Sequence, residues 1–178
     1  MKRSLILAID QGTQSVRALL FDTAGNLVGR GHQPIEPYFS IHPGWAEQHP
    51  EYFWDSLGQA CRLLWQNTEA TADQVMAVTL TTQRGTVVTL DDRGQPLRPA
   101  ILWLDQRHAS IDGPLPGPWG WLFKALRLED TIDQFRRNTQ ANWLAQHEPD
   151  NWQRTHKYLL LSGYLSWRLT GEFRDSTA

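Results

Sequence analysis

The sequence predicts an α/β fold built on a mixed sheet, with the element order βββαβ, an inserted hairpin, helices and a final βα pair. Three observations predict it. Three short apolar runs come first and are separated by brief turns, which is typical of an antiparallel meander. An amphipathic helix then leads into a run of β-branched residues, which indicates a crossover to a parallel strand. The last strand is again followed directly by a helix, which indicates a further crossover.

The first three strands follow from apolar runs that are separated by turn residues. Residues 4–10 form an apolar run that ends in an acid, and residues 15–21 place apolar side chains at alternate positions. A turn at 11–14 separates them, and a second turn at 22–26 leads into a strand at 27–33. We therefore predict an antiparallel meander of three strands.

A long loop at 34–50 is predicted to precede an amphipathic helix. Pro50 and Glu51 stand at the start of this helix, where proline and acidic residues are favoured. Asn67 and Thr68 are predicted to end it. Apolar residues recur at helical spacing on one face, namely Phe53, Leu57, Ala60, Cys61 and Leu64.

The second half of the chain is predicted to combine strands with short helices. Strands are expected at 75–82, 85–90, 97–104 and 157–161. A turn at 91–94 joins the second and third of these into a hairpin, and a loop rich in Pro and Gly is expected at 111–119. Helices are expected at 121–128, 131–138, 142–147 and 164–170. Gly171 follows the last helix where a terminating glycine is favoured.

Composition indicates a globular domain and excludes several kinds of partner. The chain has 178 residues, of which 40% are hydrophobic and 20% charged, so it is long enough to bury a core. The formal net charge is −2 and the pI is about 6.3. No basic footprint is present for a nucleic-acid partner or for a polybasic membrane surface. Most of the nine tryptophans are expected in the core or in interfaces.

Cysteine usage and the amino-terminal segment predict a cytoplasmic protein. Cys61 is the single cysteine, so no internal disulfide and no CxxC metal pair can form. A reducing compartment is the simplest fit. The apolar run at 5–9 is too short for a signal peptide, and no stretch approaches transmembrane length.

The first candidate site is the loop from Asp10 to Ser15. An acid at the end of a buried strand is costly unless it is neutralised, and a hydrated Mg²⁺ ion would do this. Gly12 allows the backbone to approach a ligand, and turn amides with the hydroxyls of Thr13 and Ser15 suit phosphate oxygens. Arg17 adds a positive charge two residues later.

An ordinary hairpin is an equally good interpretation of the same loop on local chemistry alone. Asp10 would then cap the turn, and Gly12 would supply a positive φ angle. The common phosphate motifs do not decide between the two, because the sequence contains neither GxxxxGK[ST] nor GxGxxG.

Residues 7–17, with the sequence LAIDQGTQSVR, resemble the opening of the FGGY family of carbohydrate kinases. Four more segments resemble the same family in the same order: 43–48 (PGWAEQ), 80–85 (LTTQRG), 99–107 (PAILWLDQR) and 159–177. The resemblance implies the ribonuclease H-like fold shared with actin, hexokinase and the Hsp70 ATPase. It also implies that residues 1–178 form a partial N-terminal domain, the sugar-binding half, incomplete at its C-terminus and without the nucleotide domain.

The resemblance implies specific roles for the first loop. Asp10 would organise Mg²⁺, and Gly12, Thr13 and Gln14 would face the phosphates of ATP. Arg17 is the next candidate for the nucleotide side.

The resemblance also implies a substrate-binding set made of Gln83, Arg84, Trp103 and Asp105. Amide and guanidinium groups suit a hydroxylated chain, and an indole stacks on the apolar face of a sugar while a carboxylate takes its hydroxyls. Each residue has a structural alternative: a surface salt bridge for Arg84, core packing for Trp103, and a salt bridge to Arg107 for Asp105. Gly85 departs from glycerol kinases, which carry an acidic residue here. The stretch around it also departs from xylulokinases, which typically carry Met-His in this stretch.

The activity implied is transfer of the γ-phosphoryl group of ATP to a hydroxyl of a sugar or polyol. In the family, an aspartate that lies well beyond the stretch matched by residues 175–178 takes the hydroxyl proton. The resemblance therefore places the catalytic base beyond Ala178, the last residue of this sequence. We expect no turnover from this chain alone. Apolar surface at its cut edge would favour self-association, so a homodimer is a candidate assembly.

Three other functions remain open on sequence grounds. An actin-like or Hsp70-like ATPase would keep the first loop without needing the sugar residues. A sugar-binding module would keep those residues without catalysis. A ribonuclease H-like nuclease ranks last, because Asp10 has no evident partner acid on the strand at 75–82 and the net charge does not suit nucleic acid.

Overall fold

A computed structural model describes residues 4–111 and 113–173 of the chain. Its eight strands form two four-stranded sheets. The strands are β1 (Leu5–Gln11), β2 (Ser15–Asp22), β3 (Leu27–Pro34), β4 (Glu47–Gln48), β5 (Val75–Thr82), β6 (Val87–Leu90), β7 (Ala100–Ile101) and β8 (Lys157–Leu160). The helices are α1 (Pro50–Gln66), α2 (Pro118–Ala125), α3 (Glu129–Asn138), α4 (Gln140–His147), α5 (Pro149–Arg154) and α6 (Leu161–Thr170), with a 3₁₀ turn at Ala72–Gln74.

The first sheet has the strand order β3-β2-β1-β5 and confirms the predicted meander and crossover. Strands β1, β2 and β3 pair antiparallel in succession, and β5 pairs parallel with β1. The βββαβ order and a mixed sheet are therefore both present. Because β1 and β5 run parallel, their carboxyl ends lie at the same edge of the sheet.

Helix α1 covers one face of the first sheet and forms the main core with it. Its buried side chains include Phe53, Leu57 and Leu64, as the helical spacing predicts. The helix approaches β3 so closely that a Cβ at Gly31 would lie 2.0 Å from the carbonyl oxygen of Ala60. Glycine at this position is therefore required for the observed packing.

The second sheet differs from the prediction of further parallel crossovers. Its order is β4-β7-β6-β8, and every pair is antiparallel, including β8 against β6. The predicted strand at 97–104 is reduced to Ala100–Ile101, because Pro96 and Pro99 cannot donate to a ladder and the chain turns after Leu102. The strand predicted at 85–90 begins only at Val87.

The helical segment between the second hairpin and β8 contains one helix that the sequence did not predict. Helix α5 is short and begins with Pro149 at its first position. The helices α2, α3, α4 and α6 start two or three residues before their predicted bounds, and Gly171 ends α6 with a φ angle of 77°, as predicted. Among residues 4–111 and 113–173, no helix is long and apolar enough to cross a membrane.

The family-like stretch at the end of the sequence, residues 175–178, lies outside the described residues. Ala178, the residue beyond which the catalytic base is expected, is among them. The position of that base therefore stays a prediction from the family resemblance.

Candidate active site

Two loops meet at the edge of the first sheet where β1 and β5 end. The turn between β1 and β2 lies beside the loop that follows β5, and the amide of Gln83 donates to the carbonyl of Gln11 at 2.9 Å. Ligand sites in α/β sheets commonly lie at the carboxyl ends of strands. The fold therefore brings together two segments that are about 70 residues apart in sequence.

Asp10 lies at this edge and is partly exposed. Its Oδ2 accepts a hydrogen bond from Nη1 of Arg17 at 2.8 Å, across the β1–β2 ladder. The two side chains are 40% and 51% exposed, respectively. The Oδ1 atom has no hydrogen-bond partner among the described residues, so one carboxylate oxygen is available to a ligand.

The turn between β1 and β2 differs from the ordinary hairpin that was the alternative interpretation of this loop. Gly12 donates its amide to the carbonyl of Ser15 at 3.0 Å and does not adopt a positive φ angle. A Cβ at Gly12 would lie 3.2 Å from that carbonyl oxygen, which is a tight contact. Asp10 pairs with Arg17 rather than capping the turn. Glycine is therefore needed here for close approach and not for a left-handed conformation.

Thr13, Gln83 and Trp103 form a continuous hydrogen-bonded chain across the two loops. The hydroxyl of Thr13 donates to Oε1 of Gln83 at 2.9 Å, and Nε1 of Trp103 donates to Oγ1 of Thr13 at 3.3 Å. These residues, with Arg84 and Gly85, line an open hollow. The structure thus places Thr13, predicted for the nucleotide side, beside three residues predicted for the sugar.

Trp103 is displayed in this hollow and is not packed in the core. Its side chain is 53% exposed, whereas the neighbouring Leu102 is fully buried. Trp143, by contrast, is 7% exposed and belongs to the core. The alternative of core packing is therefore not what the described residues show for Trp103, whereas contact with a ligand stays a prediction.

Arg84 and Gly85 leave the hollow open and positively charged. Arg84 is exposed and has no hydrogen bond or ion pair with the described residues, so the predicted surface salt bridge is absent there. Gly85 has a φ angle of 73°, and a Cβ there would lie 3.1 Å from the Cβ of Trp103. A side chain at this position would therefore be strained and would crowd the indole.

Asp105 lies apart from the hollow, contrary to its prediction as a substrate ligand. Its side chain is only 1% exposed. The Oδ2 atom accepts from the amide of Ala46 at 2.7 Å, and both oxygens accept from Arg107. These groups occupy both carboxylate oxygens. The structure therefore contains the salt bridge to Arg107 that was the alternative prediction for Asp105.

Asp105 belongs to a buried ion cluster made of Glu47, Arg98, Asp105 and Arg107. Arg107 donates to Glu47 at 2.8 Å, and Arg98 pairs with the same Glu47 oxygen. At the rim, Arg98 also pairs with Glu148 at 3.0 Å. Exposure of the four clustered side chains is between 1% and 8%. The cluster joins the segments at 43–48 and 99–107, which resemble two separate motifs of the family.

Two further residues predicted for the nucleotide side, Gln14 and Arg17, do not line the hollow. Gln14 is exposed, and its carbonyl accepts from the amide of Ile35 at 3.0 Å. Arg17 lines a different surface, together with Arg30 and His32 on β3. Within the described part of the chain, no three metal-ligating side chains come together, so none of the histidines has a metal partner set there.

Sequence reasoning missed Gln11 as a feature of this edge. It is fully buried, and neither its Oε1 nor its Nε2 has a partner among the described residues. The Nε2 atom of Gln83 is likewise buried without a partner. The alternation of inward side chains along β1, at Leu5, Leu7 and Ile9, extends to Gln11 and could have revealed it.

The sequence of this chain also matches a model of a known protein family. A family model described as "FGGY family of carbohydrate kinases, N-terminal domain" matches residues 5–177. This chain belongs to the FGGY family of carbohydrate kinases. The family assignment from five motifs is thereby confirmed, as is the actin- and hexokinase-like fold that it implied.

Relatives within the FGGY family include kinases named for different substrates. A glycerol kinase of Thermococcus gammatolerans is 30% identical over 171 residues, which cover 94% of this chain and 34% of that protein. A xylulose kinase of Staphylococcus epidermidis is 29% identical over 170 residues, 96% of this chain and 33% of that protein. The chain thus spans about a third of the length of these relatives.

The FGGY fold is also evident in solved structures. The crystal structure of a xyloylose kinase from Brucella ovis superposes with a TM-score of 0.74 at 30% sequence identity. The match covers 94% of this chain and 34% of that protein.

Proposed function

We propose that residues 1–178 form the sugar-binding half, with the first phosphate loop, of an ATP-dependent kinase that phosphorylates a sugar or polyol hydroxyl. The observation that carries the proposal is the hydrogen-bonded chain Trp103–Thr13–Gln83. It joins the loop suited to phosphate directly to the hollow suited to sugar. Phosphoryl transfer requires these two substrates to lie side by side.

The hollow offers the groups that bind a hydroxylated carbon chain. The exposed indole of Trp103 presents an apolar face on which sugar C–H groups stack. Arg84 contributes unpaired donors at the same hollow. Gly85 leaves room between these two side chains, and its lack of an acid argues against glycerol as the substrate.

The phosphate side is supported by the free Oδ1 of Asp10 and by the turn that follows. Magnesium is often held by one carboxylate together with waters and substrate phosphates, so a single exposed aspartate fits such a site. When bound, Mg²⁺ would neutralise charge on the transferred phosphoryl group. Asp10 would hold the ion, while the tight turn at Gly12 lets nucleotide phosphates approach the backbone.

The proposal divides the reaction between this chain and further residues. No carboxylate lines the hollow among the described residues, so the group that accepts the hydroxyl proton has no candidate there. The family resemblance implies a base beyond Ala178, and this stays a prediction. We therefore propose that residues 1–178 bind sugar without catalysing turnover.

We propose that the protein is cytoplasmic and forms a homodimer. A single free thiol, Cys61, supports the cytoplasm as the location. Exposed Met76 and Val78 on the edge strand β5 support a homodimer.

The proposal is tested by calorimetric titration of this chain with pentuloses, hexuloses and polyols. We expect one of these sugars to bind, and its affinity to fall in Trp103→Ala and in Arg84→Ala. Trp121→Ala and Arg93→Ala are matched controls, because Trp121 is 74% exposed and Arg93 lies in the exposed turn after β6. Equal losses in the control variants would count against the hollow as the sugar site.

Coupled ADP release with Mg-ATP tests the reaction itself. The protein that contains this chain should release ADP only with the bound sugar, and Asp10→Ala should abolish the release while sugar binding persists. The 178-residue chain should show none. Sugar-independent ADP release would instead favour the ATPase interpretation, and sugar binding without any ADP release would favour a binding module.

A further inference from the structure

We propose that Asp105 and Arg107 are positioning residues that hold the Trp103 indole in the hollow, an inference that rests on the proposed function. Trp103 lies in a tight turn, which the amide of Asp105 closes by donating to the carbonyl of Leu102 at 3.1 Å. Its ring therefore projects from the tip of the turn. The orientation of the ring depends on how firmly the two ends of the turn are held.

Both ends of this turn are bound to the backbone of one residue, Ala46. The amide of Leu102 donates to the carbonyl of Ala46 at 3.0 Å, and the amide of Ala46 donates to Oδ2 of Asp105 at 2.7 Å. Ala46 is itself 3% exposed. The side chain of Asp105 therefore completes a ring of hydrogen bonds that fixes the base of the turn.

Arg107 in turn fixes the carboxylate of Asp105. Its Nε and Nη2 atoms donate to Oδ1 and Oδ2 at 2.7 Å and 2.6 Å, which is a bidentate pair. The guanidinium lies 3.8 Å from the ring centroid of Trp45 and 4.6 Å from that of Trp143. Held between two indoles and bound to Glu47, it has little freedom to move.

The tip of the turn is held separately, at the hollow. The indole Nε1 donates to the hydroxyl of Thr13, and the Cβ of Trp103 lies against Gly85. An exposed tryptophan without such support would exchange between rotamers, whereas a binding group must be held close to its productive geometry. The ion pair at the base and the hydroxyl at the tip together preorganise the indole.

The indole resonances in a ¹H–¹⁵N NMR spectrum test this proposal on the chain as it exists, without any sugar. Trp103→Phe identifies the Trp103 signal. In Asp105→Asn we expect this signal to move to the positions of the exposed indoles of Trp119 and Trp121. Glu148→Gln is the matched control, since it changes a carboxylate to an amide at the far rim of the cluster. We expect it to leave the Trp103 signal in place.

A second variant keeps the test decisive if Asp105→Asn does not fold. Arg107→Lys keeps the charge but loses the bidentate pair, so the Trp103 signal should shift partway. An unchanged Trp103 signal in a folded variant overturns the proposal. Loss of the fold in both variants also overturns it, in favour of a purely structural cluster.

A double-mutant cycle on sugar affinity then connects the geometry to binding. If Asp105 acts through Trp103, Asp105→Asn weakens binding by up to about tenfold, and adding Trp103→Ala weakens it no further. Additive losses contradict the proposal. The indole signals are measured without sugar. The positioning of Trp103 can therefore be tested even if the chain binds none of the sugars.

Discussion

The Asp10–Arg17 pair and the buried ion cluster use the same guanidinium–carboxylate chemistry in opposite surroundings. In the first, both side chains are at least two-fifths exposed and make one hydrogen bond at 2.8 Å. In the second, side-chain exposure does not exceed 8%, and each carboxylate accepts from more than one donor. The exposed pair keeps a free oxygen, whereas both oxygens of the Asp105 carboxylate accept hydrogen bonds.

Burial therefore separates the group that can bind a ligand from the groups that support a binding site. An exposed ion pair contributes little to stability, so it can open to admit a metal or a phosphate at small cost. A buried ion must keep its partners, because losing one leaves an uncompensated charge in a region of low dielectric. Substitutions at the two arginines and at one further carboxylate test this contrast.

The largest effect is expected from Arg107→Ala. This change leaves buried Asp105 without its arginine and Glu47 with Arg98 alone, and it removes the stacking on Trp45 and Trp143. The free energy of unfolding should fall by about 3–5 kcal/mol, measured by urea denaturation. Arg17→Ala is the matched control and should change stability far less. Similar losses in the two variants would contradict the contrast.

A smaller effect is expected from Arg107→Lys. The positive charge remains, but the fork that binds Asp105 is lost, and one carboxylate oxygen loses a donor. We expect a loss of about 1–3 kcal/mol in the same measurement. Arg17→Lys should be close to neutral because its single exposed hydrogen bond can be replaced by water. Equal tolerance of lysine at both positions would show that the cluster needs only charge.

The same contrast shows what the sequence could and could not predict. The strand pattern located the β1–β2 loop and its acid correctly, because local alternation defines where β1 ends. Asp105 was assigned to the substrate from the family resemblance, and the backbone amide that occupies its carboxylate, that of Ala46, is 59 positions away in the sequence. No local pattern encodes such a contact. The motifs at 43–48 and 99–107 did lie in their family order, but only the fold shows that they bind one another.

The expectation that most tryptophans lie in the core or in interfaces holds for some of them and not for others. Trp143 is in the core, as the general expectation for tryptophan predicts, whereas Trp103, Trp119 and Trp121 are more than half exposed. The exposure of Trp103 follows from a turn anchored at Ala46, which is again a long-range contact. The hairpin of β6 and β7 was predicted, because a local turn joins these strands. The antiparallel pairing of β8 with β6 was not, since helices α2 to α5 separate the two strands in sequence.

At the exposed pair, Arg17→Ala should lower the free energy of unfolding by no more than about 1 kcal/mol. The side chain of its partner, Asp10, is 40% exposed. Water can therefore solvate this carboxylate when Arg17 is removed. In about 1 M NaCl the difference from wild type should vanish, because salt screens exposed charges. Chemical denaturation with urea at low and high salt measures both values. A loss that persists at high salt would indicate that the pair is held more rigidly than its exposure implies.

The smallest effect is expected at Asp22, an exposed carboxylate in the β2–β3 turn that is bound by neutral donors rather than by an arginine. The Asn26 side chain lowers the pKa of Asp22, with help from the amides of Asn26 and Ala24, which donate at 2.8 Å and 2.9 Å. A folded-state pKa below the ordinary value stabilises the fold above that value, and the contribution is lost as the pH falls through the folded-state pKa. The stability difference between wild type and Asp22→Asn should therefore be present at about pH 6 and absent at about pH 2. A carboxyl NMR titration should give a midpoint below the ordinary 3.8. A midpoint at or above 3.8 would mean that these neutral donors do not favour the charged form of Asp22.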